Sequence, residues 1–101
     1  KNLYLLEGDS VILKPDTRVL RDDEVLWKFG SEETRIAEIR EGTKEIFDFA
    51  DGKLKDRLKL GQSGSLTITN ARTTDSGDYK LQVNSRCGVS NETFSVTVCS
   101  Y

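Results

Sequence analysis

Apolar and polar residues alternate with a period of two along most of this chain. Leu58/Leu60, Leu66/Ile68, Tyr79/Leu81/Val83 and Phe94/Val96/Val98 each put every second side chain on one side, the pattern of a strand with one buried face. The pattern predicts strands at residues 10–13 (SVIL), 24–29 (EVLWKF), 34–39 (TRIAEI), 45–49 (EIFDF), 57–60 (RLKL), 65–69 (SLTIT), 79–83 (YKLQV) and 93–98 (TFSVTV). Turn-forming residues separate them: Gly8-Asp9, Gly30-Ser31, Glu41-Gly42, Asp51-Gly52, the glycines at 61 and 64, Ser76-Gly77 and Gly88. Short strands at this spacing predict an antiparallel sandwich. Residues 31–40 could pass for a helix, but they lack an apolar face at i, i+3 and i+4 and read as a turn followed by a strand. The single proline, Pro15, falls near a strand end.

Composition narrows the class of protein. A chain of 101 residues fits one domain, 1–101, large enough for a modest core. With 36% hydrophobic and 32% charged residues it is globular rather than disordered. A net charge of −2, with no basic block, excludes the concentrated positive surface that nucleic-acid binding needs. No apolar run is long enough to span a bilayer. The chain has no initiator methionine or leader and reads as an excised piece of a longer protein, anchored to a membrane only through segments outside it. No catalytic constellation is present: GQSGS at 61–65 has the wrong glycine spacing for a nucleophile elbow, and no histidine could act as its base. Asp22-Asp23-Glu24 comes from one short loop and reads as a solvated charge run rather than a metal site. The expectation is therefore a non-enzyme without cofactor or metal.

The stretch DSGDYKL at 75–81 is more specific. It resembles the tyrosine corner of immunoglobulin sandwiches, an Asp-x-Gly-x-Tyr-x-Cys run, with Gly77 at the tight turn and a buried Tyr79 bonding back through its hydroxyl. Leu81 stands where that pattern has cysteine. The partner cysteine should come seven residues after Gly8, where the chain has Pro15. Trp27 occupies the place of the core tryptophan. Arg57 in KDRLKL completes the pattern as the buried partner of Asp75, as in variable-type domains. The resemblance thus implies a structural core that includes Pro15, Trp27, Arg57, Asp75, Tyr79 and Leu81. A bridge between 15 and 81 would close a loop of about 67 residues, worth ~4 kcal/mol in the chain-entropy model. Burial of Leu81 returns ~1.5–3 kcal/mol, and losing both cysteines together leaves no orphan thiol inside. The fold class is all-β: an immunoglobulin V-type β-sandwich of two antiparallel sheets with no core disulfide.

RIAEIR (35–40), KDRLKL (55–60), SGSLTITNARTTDSGDY (63–79) and YKLQV, together with the missing cysteines, resemble the amino-terminal domains of the signalling lymphocytic activation molecule (SLAM) family of lymphocyte adhesion receptors. The resemblance covers nearly the whole chain. It implies the membrane-distal domain of an adhesion or co-stimulatory receptor on the extracellular side of the plasma membrane. It also implies a partner: another cell-surface immunoglobulin-superfamily protein, the same receptor or a different one, met through the flat sheet of the C, C′, F and G strands.

Carried over by side-chain direction, with Trp27, Ala37, Ile39, Tyr79, Leu81 and Val83 inward, that face holds Leu26, Lys28, Glu38, Arg40, Lys80, Gln82 and Asn84, with Thr93, Ser95 and Thr97 beside them. Mixed charge on a flat sheet suits electrostatic selection of a partner at modest affinity. The family often has an aromatic anchor where this chain has Asn84, a weaker anchor.

Two cysteines remain. If residues 88–91 form the last turn, Cys99 falls opposite Lys80, more than ~20 Å from Cys87, beyond the ~7 Å a disulfide tolerates. Cys99 is then placed to pair outside this chain, and Cys87 is free or intermolecular. An alternative function follows: another immune-type variable-domain receptor, a disulfide-linked dimer recognising a different ligand. Asn91-Glu92-Thr93 is the one N-x-Ser/Thr sequon, a candidate glycosylation site at an exposed turn.

Overall fold

A computed structural model describes residues 1–47 and 55–100. These form nine strands: β1 (Asn2–Leu6), β2 (Val11–Leu13), β3 (Glu24–Phe29), β4 (Thr34–Arg40), β5 (Thr43–Ile46), β6 (Leu58–Leu60), β7 (Leu66–Ile68), β8 (Gly77–Ser85) and β9 (Gly88–Cys99). Single 3₁₀ turns occupy Lys55–Arg57 and Thr73–Asp75. One sheet has the order β1-β9-β8-β3-β4-β5 and the other β2-β7-β6. The two pack face to face as an immunoglobulin-like sandwich whose core is the inward half of each alternating strand: Leu13, Val25, Trp27, Leu58, Leu66, Ile68, Tyr79, Leu81, Val83, Phe94, Val96 and Val98.

Several expectations need correction. The pairing is not antiparallel throughout, because β1 runs parallel to β9, with Leu3 opposite Val96 and Leu5 opposite Val98. That strand was absent from the predicted set. Leu3 and Leu5 alternate properly, but a five-residue edge strand with Leu6 and Tyr4 exposed carries a weak signal. Arg57 lies in a 3₁₀ turn instead of opening β6. The strand predicted at 45–49 ends at Ile46, and its last two residues lie outside the described part. Ile36, which alternation would turn outward, is fully buried beside Ala37. The register slips between Trp27 and Lys28, where Ala37 and Arg35 are the successive partners, so β4 carries one extra residue. A bulge of this kind breaks the alternation locally.

Pro15 lies just beyond the end of β2 and is half-buried. Its Cγ would sit 3.5 Å from a side chain begun at Gly64. Proline has no N–H to give to a ladder, so β2 stops at Leu13, and Leu13 takes the inward position facing the core. Nor is Asp22-Asp23-Glu24 wholly solvated. Asp23 is buried, and its Oδ2 accepts from the Leu20 N–H at 2.8 Å, closing a local turn.

The core otherwise closes around aromatic rings. Trp27 is fully buried, stands opposite Leu81 on β8, and donates from Nε1 to the Gly64 carbonyl at 2.9 Å. The Phe94 ring packs beside it, with centroids 5.5 Å apart. Phe29 packs edge-on against Tyr79 at 4.8 Å. A side chain at Gly77 would meet the Phe29 ring at 2.8 Å, and Gly77 holds φ +148°. Only glycine satisfies both conditions. No disulfide crosses the core, and both cysteines are free thiols at the surface.

The corner itself is a closed network. Tyr79 donates its hydroxyl to the Asp75 carbonyl at 2.6 Å. Arg57 forks onto the Asp75 carboxylate at 2.5 and 2.8 Å and donates to the Asn70 carbonyl at 3.1 Å. Asp75 also accepts the Arg72 N–H at 2.8 Å. Bidentate pairing of this sort is the strong form of an ion pair, and the hydrogen bond to Asp75 raises the Arg57 pKa. Burial first, then the Asp75 charge, push the Tyr79 phenol well above its usual range.

Two measurements check this core. Trp27→Ala should lose ~3–5 kcal/mol in urea denaturation. A loss within experimental error would place the tryptophan outside the cooperative core. The raised Tyr79 pKa means that its stabilisation is complete below the unfolded tyrosine value near ~10 and is lost as pH rises through the folded value. The urea midpoint should therefore fall above pH ~10, and Tyr79→Phe, which cannot ionise, should flatten that fall while lowering stability at neutral pH by ~1–2 kcal/mol.

Candidate functional site

Alternation turns half of the six-stranded sheet toward solvent, and the register shows which outward side chains are neighbours. Leu26 on β3 lies between Glu38 on β4 and Gln82 on β8. Lys28 lies opposite Lys80, and Glu24 opposite Asn84. On the far side of β4, Glu38 faces Glu45 and Arg40 faces Thr43. On β9, Asn91 lies opposite Gln82 and Thr93 opposite Lys80. Leu26, Lys28, Glu38, Lys80, Gln82 and Asn84 are all half-buried by their neighbours, whereas Arg40 is exposed.

Two small networks hold this face. Lys28 Nζ donates to Gln82 Oε1 at 3.4 Å, and Gln82 Nε2 donates to Asn84 Oδ1 at 3.1 Å. Lys28 also lies 3.7 Å from Glu33. Arg40 stands 3.4 Å from Glu24 and 3.7 Å from Glu38, with 62% of its side chain exposed. The structure thus links Lys28 with Gln82 and Asn84, and links Glu38 with Arg40. It joins to them Glu24, Glu33 and Glu45, which the sequence reading did not select. Glu24 could have been found, since it shares the parity of Leu26 and Lys28. Glu33 sits in a turn at φ +53° and carries no periodic signal.

Charge is segregated over this face. Lys28 and Lys80 adjoin at one end; Glu24, Glu38 and Glu45 gather at the other with Arg40 among them. Lys28 is four steps along β3 from Glu24, about 13 Å, longer than the ~8 Å over which physiological salt screens exposed charge. Like charges directly opposite across a ladder are unfavourable, so the isolated sheet gains nothing from these pairings. The surface is shallow. One hollow of about 40 Å³ has Glu24, Arg35, Glu38, Arg40 and Asn84 in its lining, and another of about 240 Å³ has Lys28, Glu33, Lys80, Gln82, Asn91 and Thr93. Both are smaller than the ~300 Å³ at which small-molecule sites begin. Among the described residues no group of three or more His, Cys, Asp or Glu could hold a metal ion.

The turn before β9 also differs from expectation. β8 and β9 pair out to Ser85 opposite Gly88, so the hairpin turns on Arg86 and Cys87 instead of on 88–91. Ser85 Oγ accepts the Cys87 N–H at 3.2 Å and donates to the Gly88 carbonyl at 3.2 Å. Asn91 consequently lies within β9 and not in a turn. Cys99 pairs in register with Leu6 on β1 rather than opposite Lys80. The thiols sit at opposite ends of a twelve-residue strand, about 40 Å apart.

Because the Arg40 pairs are exposed, reversing the charge should hardly affect folding. Arg40→Glu should change stability by no more than about 1 kcal/mol in thermal unfolding. A larger loss would show that Arg40 is a structural element of β4.

Comparison with known proteins agrees with this architecture. The chain matches the immunoglobulin I-set domain family over residues 1–98. Among solved structures it is similar to the first Ig-like domain of human CD48 antigen, at 20% identity and TM-score 0.83, covering 98% of this chain and 81% of that one. It is also similar to the CD2-binding domain of CD58 (lymphocyte function-associated antigen 3), at 27% identity and TM-score 0.72, covering 96% and 52% of the two chains. CD84, described with the SLAM family, matches at 17% identity and TM-score 0.76 over 99% and 97%. No curated protein sequence matches the chain.

Proposed function

The chain belongs to the immunoglobulin I-set domain family, and from that premise we propose that it is a receptor ectodomain that recognises another immunoglobulin-superfamily protein through the outward face of its six-stranded sheet. The structural neighbours are Ig domains of immune cell-surface receptors, which supports that general kind of partner. The observation that carries the choice of face is its uneven charge, with Lys28 adjoining Lys80 at one end and Glu24, Glu38 and Glu45 gathered around Arg40 at the other. The like-charged neighbours Lys28/Lys80 and Glu38/Glu45 gain on contact with a surface that brings the opposite charge to each. Such a face is self-complementary about a two-fold axis near Leu26 and Gln82: the Lys28/Lys80 end of one copy meets the Glu24/Glu38 end of the next. The same receptor, or one closely related, fits best.

In this reading Leu26 supplies the central apolar contact. Lys28, Glu38, Arg40 and Lys80 select the partner, and Gln82 and Asn84 bond across the interface. β4 and β5 extend the β9-β8-β3 sheet as the added strands of variable-type domains do, so we read the domain as variable-like within its family. The domain is a binding module rather than an enzyme. We place it membrane-distal, on the extracellular side of the plasma membrane, with anchoring supplied by other segments. A second reading rests on the two exposed free thiols: a receptor dimerised through Cys87 or Cys99 with a different ligand. A covalent dimer on non-reducing electrophoresis would favour it.

The test is flow cytometry with a tetramer of this chain against cells displaying the chain itself and a panel of immunoglobulin-superfamily ectodomains. Arg40→Glu or Lys80→Glu should weaken staining by about tenfold, and staining should fall as salt rises. If neither reversal changes binding while substitutions on the opposite sheet, at Lys14 or Thr67, abolish it, this face is not the one used.

A further inference from the structure

The sequon Asn91-Glu92-Thr93 lies on β9 at the lateral edge of the face just described, where β1 does not yet pair with it. Its orientation is fixed from behind. Glu92 points to the other side of the sheet, where its carboxylate accepts the Asp16 N–H at 2.9 and 3.1 Å. In a strand, neighbours point to opposite faces, so Asn91 and Thr93 are held outward, and both are exposed. Asn91 lies opposite Gln82, which lies opposite Leu26. It also lines the same 240 Å³ hollow as Lys28, Lys80 and Gln82. One strand spacing separates Asn91 from Gln82 and two separate it from Leu26, so the centre of the face is within about 10 Å of the Asn91 amide.

We propose that Asn91 is an N-glycosylation site whose glycan masks this face, so that the modified and unmodified chains differ in what they can dock. The regulatory consequence rests on the sheet-face reading above; the masking itself does not. In the transfer, the Asn91 Nδ2 bonds to C1 of the first sugar of a lipid-diphosphate-linked oligosaccharide. The bond from C1 to the diphosphate oxygen breaks, the lipid diphosphate leaves, and the amide proton passes to a base of the transferase. Thr93 supplies the hydroxyl the acceptor motif requires. The product is a bulky, hydrated branch rooted where a flat partner would have to approach. It would cover the Lys28/Lys80 end and leave the three-stranded sheet open.

The experiment directs the chain into the secretory pathway of cultured animal cells and compares it with Asn91→Gln and Thr93→Ala, two independent ways to remove the sequon. Peptide mapping should show a glycan on Asn91 of the parent only. A bulky amine-reactive succinimidyl ester should then label Lys28 and Lys80 several-fold less in the glycosylated chain than in either variant or after enzymatic deglycosylation. Lys14 and Lys59, on the other sheet, should be labelled equally in all. An unoccupied Asn91, or equal labelling of Lys28 and Lys80 throughout, overturns the proposal. A tetramer of the unsubstituted chain, produced in bacteria and so without glycan, serves as the binding probe on cells displaying each form. Weaker staining of the glycosylated form supports the regulation. Protected lysines with undiminished staining would support the masking and overturn the sheet-face reading, so the two failures are distinguishable.

Discussion

The register of β8 between β3 and β9 is the constraint on which the rest depends. β8 is the central strand of the long sheet, and it enters that sheet at a fixed point. The Tyr79 hydroxyl is tied to the Asp75 carbonyl, Asp75 is tied to Arg57 by two bonds, and Gly77 admits the Phe29 ring. A slip of one residue would turn Tyr79, Leu81 and Val83 into solvent and Lys80, Gln82 and Asn84 into the core. The buried cost of that exchange is far beyond what a marginally stable domain tolerates. The corner therefore sets both the core and the composition of the outward face.

This division of labour explains how the sandwich holds without a cross-sheet disulfide. The bridge position on β8 is filled by Leu81, opposite Trp27 in register, and Leu13 at the end of β2 is buried in the same core. Covalent constraint on the unfolded chain is replaced by apolar burial, by the Trp27–Gly64 hydrogen bond and by the Arg57–Asp75 fork. No buried side-chain nitrogen or oxygen among the described residues lacks a partner. The corner thus adds specificity without leaving an unsatisfied group in the interior.

The outward face carries the opposite economy. Lys28 beside Lys80 and Glu38 beside Glu45 are pairings that a sheet optimised only for stability would avoid. Its side-chain hydrogen bonds, at 3.1 and 3.4 Å, are only part-buried. Glu92 anchors the back of β9 while Asn91 and Thr93 stand on the front. Whatever covers this surface, protein or carbohydrate, meets a layout fixed by the core rather than by the surface residues themselves.

The sequence by itself determined the period, and through it most of the strands, the inward register of Trp27, Tyr79 and Leu81, and the seven outward residues from Leu26 to Asn84. Those are local properties: alternation and turn chemistry are written in neighbouring residues. The tyrosine corner was also legible, because Asp75, Gly77 and Tyr79 lie within one short run, and Arg57 follows from the pattern of that run. Tertiary structure decided the rest. The parallel β1 edge and the bulge that buries Ile36 depend on pairing between segments distant in the chain. The hairpin turn at Arg86-Cys87 depends on how far β8 and β9 can pair before the strands part. That pairing moved Asn91 from a supposed turn into the face and Cys99 to a place beside Leu6. A period of two says which side a residue faces, but only the partner strand says what it faces there.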